Sequence, residues 1–143
     1  MIKEVIENWN KNKDKLEKYL KNTPQEKYRT YLDLVKLVVK YTLYDFTDYA
    51  DDEDLDDNIK RVSFGDYQGI DIYLISKSCY PDLEDIIYTH NYYGSCSGCD
   101  TLQRIQFDSN NYGEGKPTKQ QLKDYMSLCL HLVENMKHLK GEE

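Results

Sequence analysis

The segment Lys60-Arg61-Val62-Ser63-Phe64-Gly65-Asp66-Tyr67-Gln68-Gly69-Ile70-Asp71-Ile72-Tyr73-Leu74-Ile75-Ser76 decides the fold class. Val62 and Phe64 alternate with polar residues, and Asp66-Tyr67-Gln68-Gly69 has the chemistry of a turn. Beyond it, Ile70, Ile72 and Leu74 alternate with Asp71, Tyr73 and Ile75. Period-two patterning on both sides of a turn predicts an antiparallel hairpin.

A loop containing Pro81 follows, and then Asp85 to Tyr93 reads as a third strand. Ile86, Tyr88, His90 and Tyr92 fall on one face; Ile87, Thr89, Asn91 and Tyr93 fall on the other. Upstream lies an acidic linker over 45–58, densest at Asp51 to Asp57. There the apolar period changes from 3.6 to 2. Before it, Ile2, Val5, Ile6 and Trp9 predict a first helix that Leu16, Tyr19 and Leu20 continue. Asn10 to Lys15 is wholly polar, which suggests that this helix is partly exposed or broken. Thr23, Pro24 and Glu26 form a helix-start signature, a capping box with Pro at the first position. Tyr28, Tyr31, Leu32, Val35, Val38 and Val39 would carry that second helix toward Tyr44.

After Tyr93 a short helix is expected, capped by Ser97 with Asp100 three residues later, its core side Leu102 and Ile105. A turn-rich loop from Asp108 to Pro117 leads to a final helix. A second capping box, Thr118 with Gln121, starts it. Its apolar stripe is Leu122, Tyr125, Met126, Cys129, Leu132, Val133 and Met136. The order is α-α-β-β-β-α-α. It predicts an α+β fold, a small antiparallel sheet of about three strands packed with helices. One domain over 1–143 is expected: a helical hairpin over 1–44, the linker, and an α+β core over 59–140.

The composition narrows the partners. The 143 residues carry a net charge of -7. That balance argues against direct nucleic-acid binding, which needs clustered Lys and Arg, and against anionic membranes. No apolar run approaches the length of a membrane span, and no secretory leader is visible, so a cytoplasmic location is expected. There, four cysteines read as thiols or metal ligands rather than disulfides. Fourteen tyrosines supply amphipathic surface suited to binding.

One segment differs from all this: Tyr92-Tyr93-Gly94-Ser95-Cys96-Ser97-Gly98-Cys99-Asp100. It permits three chemistries. As a ligand or partner cradle, Gly94 and Gly98 bare the backbone, Ser95 and Ser97 offer hydroxyls, and Tyr92 and Tyr93 can stack on a ring. Asp100 opposes a highly charged anion unless its carboxylate serves as a cap. As a redox site, Cys96 and Cys99 have the Cys-x-x-Cys spacing of thioredoxin-like proteins, but the β-α-β surroundings of that fold are missing. As a zinc site, the pair is one half, and Cys79, His90 and Cys129 are scattered. Tight packing by small residues is the plain alternative.

Other candidates are weaker. His90 sits mid-strand, where a packed histidine is commoner than a catalytic one. His131 and His138 are spaced along the polar side of the last helix, and Cys129 lies on its apolar stripe. The acidic run lacks the glycine and closing glutamate of a calcium loop. No complete catalytic set is legible.

Phe64 to Gly69, the segment from Tyr92 to Gln103, and Lys123 to Leu132 together resemble small uncharacterised proteins of bacteriophages and mobile elements in low-GC Gram-positive bacteria. The resemblance covers roughly the C-terminal half and carries over no catalytic residues. It implies a phage or prophage origin, and with the composition the expectation is a phage-type accessory protein of the bacterial cytoplasm; no cofactor is expected. Such a protein would inhibit host defence by binding a host protein or a nucleotide-like ligand. The contact residues expected are Tyr92, Tyr93, Gly94, Ser95, Ser97, Gly98 and Asp100. A thiol redox protein or a zinc-stabilised interaction module using Cys96 and Cys99 is the alternative.

Overall fold

A computed structural model describes residues 2–43, 58–77, 83–96 and 98–140. The acidic linker, apart from Asn58, lies outside these residues, as do Cys79, Pro81 and Ser97. Among the described residues the chain is α+β, with four α-helices and one four-stranded antiparallel sheet.

Helix α1 spans Lys3–Asn22 without a break. Its polar middle survives because Asn12 is buried and useful: its amide donates to Asn8 O in its own helix and to Thr42 O at the end of the next. Helix α2 spans Tyr31–Thr42, later than the sequence signature suggested. Thr23 ends α1 instead of capping α2, and Gln25–Tyr28 forms a 3-10 turn. Tertiary partners account for the shift. Tyr28 is fully buried, and its hydroxyl donates to Leu20 O and Thr23 O, closing the end of α1. Glu26 accepts the Gly115 N–H rather than completing a cap. The working capping box is Thr30 with Asp33.

The sheet consists of β1 (Ile59–Gly65), β2 (Gly69–Ser76), β3 (Ile86–Tyr93) and β4 (Lys137–His138), in that order. The β1–β2 hairpin pairs Gly65 with Gly69, which confirms the turn at Asp66-Tyr67-Gln68. Gly65 has φ +113°, closed to most side chains. The fourth strand, beyond the three expected, is too short to show a period. After α4 (Lys119–Glu134) the chain unwinds at Asn135 and runs beside β3, pairing Lys137 with Tyr88 and His138 with Ile87. His138 is therefore on the sheet and does not share a helix face with His131.

One apolar core joins the helical hairpin to the sheet. It contains Val5, Trp9, Leu16 and Leu20 of α1, Leu34, Val35, Val38 and Val39 of α2, and Tyr73, Ile75 and Ile87 of the sheet. Tyr125, Cys129, Leu132 and Val133 of α4 join it, as do Leu102 and Ile105 of the short helix before it. Thr89 fastens sheet to helix, donating to Leu132 O at 2.6 Å. The described α-helices share this core with Tyr73, Ile75 and Ile87, on the side of the sheet that also carries Thr89. The opposite side carries Ile70, Ile72 and Leu74, half-buried among their own neighbours.

Candidate functional site

The uncovered side of the sheet is set by register. Cross-strand pairing aligns Phe64, Ile70 and Tyr92 in one row, and Val62, Ile72 and His90 in the next. Lys60, Leu74, Tyr88 and Lys137 form a third. Phe64 is 55% exposed and Tyr92 72% exposed, one on each strand flanking Ile70. His90 lies edge-on to Tyr92, with ring centroids 5.6 Å apart. Burial holds the His90 imidazole below its usual range, reinforced by His131 and Lys137. Among the described strand residues, this face carries no Asp or Glu.

At the Phe64–Tyr92 end the sheet meets the Gly-Ser-Cys turn. A cleft of about 430 Å³ lies there, lined by Phe64, Gln68, Gly69, Ile70, Tyr92, Tyr93 and Cys99. Tyr93 is half-buried, and its hydroxyl donates to Phe64 O and Gly65 O, bracing the hairpin end. Of the two neighbouring tyrosines, Tyr92 presents its ring and Tyr93 holds the frame.

The turn is built around Asp100. Helix α3 spans Thr101–Phe107, and its cap is Asp100, not Ser97. One carboxylate oxygen accepts the Gln103 N–H at 3.0 Å and the Tyr31 hydroxyl at 3.0 Å. The other accepts the Gly94 N–H at 2.9 Å. The Tyr31 oxygen in turn accepts the Leu102 N–H. Burial pushes the Tyr31 phenol well above its ordinary range, so it stays a donor. Gln103 returns a bond to Gly94 O. Asp100 is buried, and its charge is spent on the cap.

The two glycines differ. Gly94 is buried, and an added Cβ would stand 2.5 Å from Cys99 O and 2.6 Å from its sulfur. Gly98 is exposed, and a Cβ there would meet nothing nearer than the Cys96 sulfur at 3.8 Å. Ser95 is exposed, and Ser97 lies outside the described residues.

Cys96 and Cys99 flank the tip. Cys99 N–H donates to Cys96 O at 3.1 Å, closing a tight turn. The sulfurs stand 3.0 Å apart, both exposed. The Cys96 N–H points at the Cys99 sulfur, 3.3 Å away. The hydrogen bond from the Cys96 thiol, then that from its N–H, holds the Cys99 thiol below its ordinary range. Cys129 is different: burial pushes it up to about 12, and it serves as a small core residue.

No group of three metal-ligating side chains occurs among the described residues. No described helix is long and apolar enough to cross a membrane. The sequence pointed to the turn, but it missed the sheet face beside it. The signal was present as Val62, Phe64, Ile70, Ile72 and Leu74, all apolar on one side of the hairpin. The helices cover the other side. Comparison with known proteins finds no matching family model, no similar curated protein and no similar solved structure.

Proposed function

We propose that this chain is a non-catalytic binding protein that docks a host protein on the open face of its sheet, with the Gly-Ser-Cys turn as one rim. The observation that carries the reading is the Phe64–Ile70–Tyr92 row at the hairpin end of an apolar face, where both aromatic rings are exposed. Exposed aromatic side chains in contiguous apolar surface are the usual anchors of protein interfaces. Charge selects the partner. In a chain of net charge -7, this face lacks described carboxylates and presents Lys60 and Lys137 along one side. A partner with an apolar centre and an acidic edge fits it.

A phosphate-bearing ligand fits less well. The N–H groups of Gly94, Cys96, Cys99, Leu102 and Gln103 all donate inside the fold. The resemblance to phage and mobile-element proteins is what points to a bacterial host protein and to antagonism of host defence as the purpose.

A photo-crosslinking residue in place of Tyr92 tests the proposal in host lysate, with the same residue at Lys119 on α4 as control. One partner should crosslink from position 92 and not from 119. Phe64→Glu or Tyr92→Glu should weaken its binding by about tenfold or more. A partner retained at full affinity by both charge variants would rule out the face.

A further inference from the structure

We propose that Cys96 and Cys99 form a thiol–disulfide exchange site, with Cys99 as the attacking sulfur, Cys96 as the resolving sulfur and a small-molecule disulfide as substrate. The inference does not rest on the docking reading, although Cys99 also lines the cleft at the rim of that face.

The geometry suits sulfur–sulfur bonding better than metal binding. Two thiolates on one tetrahedral zinc, each at ~2.3 Å, stand roughly 3.8 Å apart. Here the sulfurs are already 3.0 Å apart, with no third ligand among the described residues. The turn that holds them is closed by the Cys99 N–H to Cys96 O bond, so little movement is needed to join them. Roles follow from the donors. Cys99 receives the Cys96 N–H and lies beside the Cys96 thiol, and both favour a thiolate at Cys99. Both sulfurs are exposed to an incoming disulfide.

The Cys99 thiolate attacks one sulfur of a disulfide RSSR. A Cys99–SR bond forms, the RS–SR bond breaks, and the departing RS⁻ takes up the proton Cys99 released. Deprotonated Cys96 then attacks the Cys99 sulfur. The Cys96–Cys99 disulfide forms, and the second RS⁻ leaves and is protonated by the proton from Cys96. Two protein thiols are oxidised, and one RSSR is reduced to two RSH.

The test uses the reduced full-length protein with oxidised glutathione, acid quenching and peptide mass mapping. Wild type should lose two hydrogens within the Cys96–Cys99 peptide, without retained glutathione. Cys96→Ser should trap glutathione on Cys99, and Cys99→Ser should react at least about tenfold more slowly at Cys96. Protection of buried Cys129 from alkylation reports that each variant is folded, and Cys96→Ala provides a second trapping variant. Glutathione retained on Cys96 in wild type, a bridge to Cys79, or no adduct on Cys99 in the Cys96 variants would each overturn the proposal.

Discussion

The Tyr31 hydroxyl donates to Asp100 across 3.0 Å and accepts the Leu102 N–H, so a residue of the N-terminal helical hairpin fixes the turn 69 positions further on. The turn is held by the helical layer as much as by the strand that precedes it.

Tyr31→Phe therefore removes both bonds while preserving the ring. It leaves Leu102 N–H without its partner and deprives Asp100 of one donor. The expected loss is about 1–3 kcal/mol. Urea unfolding measures it, and a midpoint equal to that of the parent protein would refute the bracing role.

Gly94 and Gly98 should behave oppositely. Gly94→Ala forces a Cβ against the Cys99 carbonyl and sulfur, so stability should fall and the two sulfurs should move. Gly98→Ala meets open space and should change stability by less than about 0.5 kcal/mol. Thermal unfolding of the pair, run side by side, checks the contrast.

The open face should be stability-neutral. Phe64→Ser and Tyr92→Ser remove exposed rings and should shift unfolding by no more than about 0.5 kcal/mol. Tyr73→Ala, from the same sheet but fully buried, should cost about 3–5 kcal/mol. Large losses in the two serine variants would mean that the face supports the fold.

Acid should weaken the fold through His90. Its imidazole resists protonation because it is partly buried, with His131 and Lys137 adding to the effect. The unfolded chain protonates its histidines near ~6.5. Below that pH the unfolded state gains a proton that the folded state resists, so stability falls with pH until His90 protonates in place. His90→Gln should flatten the pH dependence of the unfolding midpoint between about 7 and 5. An unchanged profile would assign the acid response elsewhere.

The sequence disclosed whatever depended on neighbours close along the chain. The hairpin turn, the third strand with its two faces, the Thr118–Gln121 capping box and buried Cys129 were legible for that reason. What it hid depended on distant partners. The Thr23–Glu26 signature was diverted because Gly115 claims Glu26 and α1 claims Tyr28. Asn12 looked like a helix weakness until Thr42 arrived to use it. The two glycines of the turn look alike in sequence, and only the return of Cys99 onto Gly94 separates them. Which side of the hairpin the helices cover cannot be read when both sides carry isoleucine.

The span between Tyr31 and Asp100 also orders events in time. A chain still emerging from the ribosome can form its hairpins and helices from local contacts, but the turn reaches its final shape only after that long loop has closed. The two sulfurs meet within their own short turn, and what waits for the loop is the seating of that turn on the helical layer. The Tyr31–Asp100 contact thus marks a chain that has finished folding.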